Sequence, residues 1–144
     1  MTNKITIYTD GACSGNPGAG GWGAVLLYKE HIKKISGGEK DTTNNRMELK
    51  AVIESLRAVK KLTADIIVYT DSKYVQNGIM EWIHGWKKNG WKNAAKKPIK
   101  NVDLWMELDE ESAKHKIEWK WVKGHSGNKY NEMADELACG AVVR

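Results

Sequence analysis

TNNRMELKAVIESLRAVKKLTADIIVYTD, residues Thr43–Asp71, contains the helix-to-strand succession that decides the fold. Thr43 to Lys60 reads as a helix: Lys50, Glu54, Arg57 and Lys61 recur at helical spacing as a charged stripe, opposite Ala51, Val52, Leu56 and Val59. Ile66 to Thr70 is a compact β-branched and aromatic run that ends at Asp71 and reads as a strand. A strand reached through a helical crossover pairs in parallel with its neighbour, so the sheet must contain a parallel part.

Upstream, Ile5 and Ile7 alternate with polar positions through Lys4 to Asp10, which predicts a first strand with Asp10 at its end. Gly11 to Gly21, rich in Gly, Pro and Asn, reads as a loop. Trp22 to Tyr28 and Ile32 to Gly38 follow as strands, and their short connections predict antiparallel neighbours. Downstream, a helical pattern runs from Asp71 to about Met80. Further helices are expected over Trp82 to Lys88 and Val102 to Ala113, interrupted by Asn89, Gly90 and Pro98. Ile117 to Val122 reads as the last strand and Lys129 to Val142 as the last helix. The sum is an α/β domain of about five strands, a meander followed by crossovers.

At 144 residues the chain fits one domain with a core that needs neither disulfides nor structural metal. Cys13 and Cys139 form no CxxC pair, and none of His31, His84, His115 and His125 has HExxH spacing, so zinc chemistry is disfavoured. Reducing cytosol is the expected compartment. Met1 to Lys4 lead straight into a strand, so no secretory leader is expected, and no apolar segment is long enough to span a bilayer. A monomer without membrane attachment is the corresponding expectation. Gly18, Gly20 and Gly23 satisfy GxGxxG, but they lead into a strand instead of opening a helix, so a dinucleotide loop is rejected.

Four carboxylates stand out. Tyr8-Thr9-Asp10 and Tyr69-Thr70-Asp71 close two strands with one local pattern, and strand C-termini are where open α/β sheets bind ligands. Turn or helix-cap roles are the alternative for each Asp. Glu48 lies on the apolar side of its helix with Ala51, Val52 and Ser55, where an ionised carboxylate needs a cation, a proton or a cavity. A cap or salt bridge is the competing explanation. Asp135 lies between the Met133/Leu137 face and the Glu132/Glu136 face, and alone reads as a solvated helix charge. Together, carboxylates without Cys or His ligands suit hard cations, above all Mg²⁺ or Mn²⁺, and a two-metal phosphodiester site uses this donor set.

The net charge of +5 is concentrated in one place. Trp82 to Val102 contains no acidic residue and six lysines: Lys87, Lys88, Lys92, Lys96, Lys97 and Lys100. Without these six, the 23 basic residues no longer outnumber the 18 acidic ones. Trp82 and Trp86 share a helix face, and Trp91 follows the Asn89-Gly90 break. Lysine interleaved with tryptophan suits phosphate neutralisation plus sugar or base packing; a solvated helix with core tryptophans is the alternative.

TDGACSGNPGAGGWGA around Asp10, TTNNRMELKA around Glu48, YTDSKYV around Asp71 and WVKGHSGNKYNEMADELA around Asp135 resemble the bacterial type I ribonucleases H, in family order and over nearly the whole chain. The resemblance implies a single ribonuclease H-like domain over residues 1–144. Its expected sheet is five-stranded and mixed, with helices on both faces and a basic protrusion at about 82–102. It implies hydrolysis of the RNA strand of an RNA/DNA hybrid, leaving 3′-hydroxyl and 5′-phosphate ends. Asp10, Glu48, Asp71 and Asp135 would hold two Mg²⁺ ions, with Mn²⁺ as a substitute, and Asp10 would bridge them. His125, between Gly124 and Gly127, would assist proton transfer or product departure.

By the same resemblance, Asn16, Asn44, Asn45 and Gln76 would reach the minor groove, and Thr43 and Asn101 would hold a DNA phosphate. Tyr74, Trp82 and Trp86 would line the DNA-strand channel, with Lys87 and Lys88 in the basic segment beside it. Asp41 stands where some relatives carry a basic phosphate contact, and Lys73 where others carry Gln.

Overall fold

The computed structural model describes residues 4–60, 65–122 and 128–143. Strands β1 (Ile5–Gly15), β2 (Gly18–Tyr28) and β3 (His31–Thr42) form the meander, followed by α1 (Asn44–Arg57) and β4 (Asp65–Thr70). Then come α2 (Lys73–Asn77), one wide helical turn (Gly78–Trp82), α3 (Ile83–Lys88), α4 (Val102–Ser112), β5 (Lys116–Trp121) and α5 (Lys129–Ala141). The sheet order is β3-β2-β1-β4-β5. The meander pairs antiparallel, whereas β1 with β4 and β4 with β5 pair in parallel, as helical connections require.

Side-chain alternation along the strands sorts the core into two layers. Ile7, Ala24, Leu26 and Val68 pack with Leu49, Val52, Ile53 and Leu56 of α1 and with Leu104, Trp105 and Leu108 of α4. Tyr8 and Val25, one residue out of step, pack with Ala134 of α5 on the opposite face, where Tyr69, Tyr130, Met133 and Leu137 surround them. Helices therefore cover both faces. Each fully buried Leu, Ile or Val of the α1 layer contributes roughly 1.5–3 kcal/mol relative to exposure.

The segment expected as a loop, Gly11 to Gly21, is mostly strand. β1 and β2 stay paired through Cys13↔Gly20 and Gly15↔Gly18, leaving a two-residue turn at Asn16 and Pro17. Small residues hide this pairing from a pattern search, because a glycine-rich strand has no apolar alternation to read. The missing side chains also let helices approach. A Cβ on Gly23 would meet the Cβ of Leu137 at 2.5 Å, and one on Gly11 would meet the main-chain N of Glu48 at 2.6 Å. Within the GxGxxG run, Gly20 and Gly23 thus let α1 and α5 approach, while Gly18 sits against the Ser14 carbonyl at the turn.

Helix α1 starts one residue later than expected, because the Thr43 hydroxyl accepts a hydrogen bond from the Arg46 N–H at 3.2 Å and so caps it. Between α2 and α3, the Ile83 N–H bonds back to the Gly78 carbonyl, widening one turn. Gly78 packs on the Trp105 ring so closely that a Cβ there would lie 2.0 Å from it.

Candidate active site

The matched Tyr-Thr-Asp segments become neighbours in the parallel ladder: Tyr8 pairs with Tyr69 and Thr9 with Thr70. The two tyrosine rings stack at 4.7 Å, and Tyr130 of α5 packs beside them at 5.6 Å. That aromatic layer lies below the ends of the two strands, where the chains deliver Asp10 and Asp71 side by side. Glu48 comes from the first turns of α1, which Gly11 allows to lie directly against β1. Carboxylate oxygens of Asp10, Glu48 and Asp71 all lie within 4.8 Å of one another.

Such a cluster is costly in isolation. Asp10 is 6% exposed and Glu48 5%, so little water offsets the repulsion. Burial first, then the charge of Asp71 and a hydrogen bond with Asp135, push the Asp10 carboxyl up to about 8. The Gly11 N–H, 2.9 Å from Asp10 Oδ1, opposes this only in part. Glu48 is likewise held well above the usual carboxylate range, by burial and then by Asp10 and Asp71. Its Oε2 is buried and has no hydrogen-bond partner. A buried carboxylate oxygen left in this state lacks either a proton or a cation.

Asp135 is half-buried in α5 and stands outside the tight trio, yet it is within hydrogen-bonding reach of Asp10. Helix α5 is capped by the Asn128 side chain, which accepts from the N–H groups of Tyr130 and Asn131 at 3.0 Å each. His125 lies outside the described residues.

Beside the carboxylates, Tyr74, Trp82, Trp86 and Trp105 form a continuous aromatic cluster with ring separations of 5.2 to 5.9 Å. The Tyr74 hydroxyl accepts from Asn101 Nδ2 at 3.0 Å and from Trp105 Nε1 at 2.9 Å. Asn101, left-handed at φ 60°, also accepts from Arg46 Nη1 at 3.2 Å. Arg46 grips Asp103 with two hydrogen bonds of 3.0 and 2.7 Å, tying α1 to the first turn of α4. Trp105, Arg46 and Asp103 were not among the sequence candidates. Their partners lie 31, 55 and 57 residues away, and no local pattern announces such pairs.

Of the remaining candidates, Asn16 accepts from the Asn44 N–H at 3.1 Å, so these two are neighbours at the start of α1. Asn45 and Gln76 are half-buried on α1 and α2. Lys88 is exposed, and Lys87, also exposed, pairs with Asp109 at 3.3 Å. The segment after α3 is held in shape by the Asn93 side chain, which accepts from the N–H groups of Ala95 and Lys97, and by a bridge between Lys92 and Pro98.

The family model for RNase H matches residues 2–142. The chain belongs to the ribonuclease H family. Members of this family are metal-dependent endoribonucleases that hydrolyse the RNA of RNA/DNA hybrids, and the acidic trio is consistent with a two-metal site. Ribonuclease H of Francisella philomiragia subsp. philomiragia is 63% identical over 141 residues, covering 98% of this chain and 92% of that protein. Among solved structures, LC9-RNase H1, a type 1 RNase H with the type 2 active-site motif, aligns at 35% identity and a TM-score of 0.88. The alignment covers 99% of this chain and 73% of that one. LC11-RNase H1, solved in complex with an RNA/DNA hybrid, shares the fold at 22% identity and a TM-score of 0.73, covering 96% of each chain. Among the described residues, no helix is long and apolar enough to cross a membrane.

Proposed function

We propose that this chain cuts the RNA strand of RNA/DNA hybrids at the cluster of Asp10, Glu48 and Asp71, with Asp135 as a fourth ligand and two Mg²⁺ ions as the cofactor. The observation that carries this is the trio of carboxylate oxygens within 4.8 Å, one member of which, Glu48, has a buried oxygen without a partner. The donor set consists of hard oxygens, which fits Mg²⁺ and also Mn²⁺ as a substitute. Bound there, the ions would supply Lewis-acid stabilisation of the phosphate charge and activation of the attacking water.

The residues of the chain do the rest. Asp10 and Asp71, fixed by the parallel ladder over the stacked tyrosines, set the spacing of the site, and α1 presents Glu48 from above. Asp135, on α5, reaches Asp10 from the opposite face of the sheet. His125 would accept or return a proton as product leaves. The aromatic cluster of Tyr74, Trp82 and Trp86 would pack the sugars of the DNA strand, with Lys87 and Lys88 supplying positive charge. Asn16, Asn44, Asn45 and Gln76 would meet the minor groove, where 2′-hydroxyls distinguish RNA from DNA. Thr43 and Asn101 would hold a DNA phosphate. A cytoplasmic monomer, one domain throughout with its basic protrusion at about 82–102, belongs to the same reading.

The test is cleavage of end-labelled hybrid, double-stranded RNA and double-stranded DNA side by side, over a range of Mg²⁺ and Mn²⁺ concentrations. RNA-strand products ending in 3′-hydroxyl and 5′-phosphate are expected from the hybrid alone. Absence of RNA cleavage at every metal concentration would refute the reading.

A further inference from the structure

The row of carboxylates does not end the functional surface on the β5 side. Trp121, the last residue of β5, is paired in register with Thr70, one residue before Asp71. Trp121 is 42% exposed, although its strand neighbour Trp119 packs against the core. Its indole Nε1–H donates to the Asp71 carbonyl at 3.2 Å, so the ring is fixed to the main chain of a proposed metal ligand. Lys73, the first residue of α2, holds its ammonium 5.9 Å from the centre of that ring. Lys73 is exposed, and among the described residues it has no carboxylate within ion-pairing distance.

Two other surface lysines, both beside Glu118, are ion-paired. Lys120 is neutralised by Glu118 at 3.3 Å and Lys4 by the same residue at 3.8 Å. Lys73 instead rests on an aromatic face, which restrains a long side chain without cancelling its charge. A restrained, uncancelled cation beside a cluster of anions suits a ligand that carries negative charge at more than one point along its length. The cut strand is such a ligand: with one phosphodiester over the carboxylates, the next would extend past Asp71. The aromatic cluster around Tyr74 is built from α2, the wide turn, α3 and α4, whereas Lys73 and Trp121 lie on the β5 side of Asp71.

We propose that Lys73 contacts a phosphate of the cut RNA strand next to the scissile one, and that Trp121 is a positioning residue that holds both the Lys73 ammonium and the Asp71 main chain. The proposal rests on the reading of the site as a hybrid nuclease, and adds a contact to the RNA strand on the β5 side. Lys73 acts on binding. Trp121 acts on binding through its ring and on turnover through its N–H.

Steady-state cleavage of labelled hybrid with the full chain, repeated over a series of salt concentrations, tests this. Lys73→Gln is expected to raise KM several-fold with kcat within twofold of wild type. It should also reduce the slope of log kcat/KM against log salt by about 0.7–0.9, the loss of one neutralised phosphate. Lys73→Arg is expected to restore both. Trp121→Phe should keep the salt slope and lower kcat, whereas Trp121→Leu should lose both the slope and kcat. Because Lys73 is exposed, Lys73→Gln reports on the proposal even if the Trp121 variants fold poorly. An unchanged KM and salt slope for Lys73→Gln, with wild type cutting the hybrid normally, would overturn the Lys73 contact alone. A wild-type chain inactive on the hybrid would overturn the underlying reading and this contact with it.

Discussion

The carboxylate trio and the aromatic cluster are both sequence-distant groups brought together beside the ends of the same strands, and their internal bookkeeping is opposite. In the cluster the network around Tyr74 is closed: Tyr74 receives two donors, Asn101 both donates and accepts, and Arg46 closes on Asp103. In the trio, two buried carboxyls, Asp10 and Glu48, face each other and the half-buried Asp71, and Glu48 Oε2 has no partner. The first arrangement is stable as it stands and can serve as a preformed surface. The second is complete only with a proton or a cation, which makes it the place where ligand binding and folding energy are coupled. Substitutions in the two regions should therefore change stability with opposite signs.

Asp10→Asn gives the largest effect and tests that sign directly. Removing one ligand charge is expected to lower hybrid cleavage by on the order of a thousandfold or more. In EDTA at about pH 9, where the raised Asp10 carboxyl is ionised, the same substitution should stabilise the fold, because it removes a like charge from the cluster. Cleavage kinetics and urea unfolding of one preparation measure both. A variant less stable than wild type in EDTA would show that the cluster is internally satisfied after all.

The pH dependence of the metal-free protein follows from the same asymmetry. The Asp10 carboxyl is raised to about 8 from its usual 3.8, so the folded chain keeps a proton that the unfolded chain releases. That preference stabilises the fold fully below about pH 4 and is lost as pH rises toward about 8, at no more than ~1.4 kcal/mol per pH unit for this group. Glu48, raised by the same causes, pulls in the same direction. Urea midpoints in EDTA are expected to fall over that window, and saturating Mg²⁺ to flatten the curve. Equal slopes with and without Mg²⁺ would remove the trio as the cause.

How much of this was legible beforehand follows the range of each interaction. Asp10 and Asp71 were visible because their Tyr-Thr-Asp contexts match, and the match survives as register in the ladder. Glu48 was visible because helical periodicity put a charge on the wrong face. Asp135 was not visible from its helix, whose pattern fits a solvated position equally well, and its reach to Asp10 depends on α5 docking across the sheet. The strand pairing of Gly11 to Gly21 escaped because glycines carry no alternation, and the Arg46–Asp103 clamp because its ends are 57 residues apart. Family motifs supplied the substrate, which the lysine and tryptophan pattern supports without identifying it.

On the aromatic side, Gly78→Ala probes packing. A Cβ at Gly78 would lie 2.0 Å from the Trp105 ring, whose side chain is fully buried and has no room to yield. Overpacking of this kind costs typically about 1–3 kcal/mol. Thermal unfolding in Mg²⁺ should show the loss, and tryptophan emission should shift as Trp105 moves. An unchanged midpoint would mean that the wide turn slides to make space.

Tyr74→Phe is the mildest change, because it removes one oxygen and leaves the ring in place. That oxygen accepts from both Asn101 Nδ2 and Trp105 Nε1, and the indole N–H belongs to a residue with no solvent exposure. Leaving a buried donor unpaired costs about 1–3 kcal/mol, and the solvent-accessible end of Asn101 recovers part of this through water. Stability is thus expected to fall by about 1 kcal/mol in EDTA and in Mg²⁺ alike, since no ion takes part in this network. Asn101 keeps its bond to Arg46, so hybrid affinity should weaken modestly while kcat holds. The informative result is the pair of unfolding curves: a loss that Mg²⁺ reverses would mean that the cluster, too, is completed by metal, and the division between a preformed surface and a ligand-completed centre would fail.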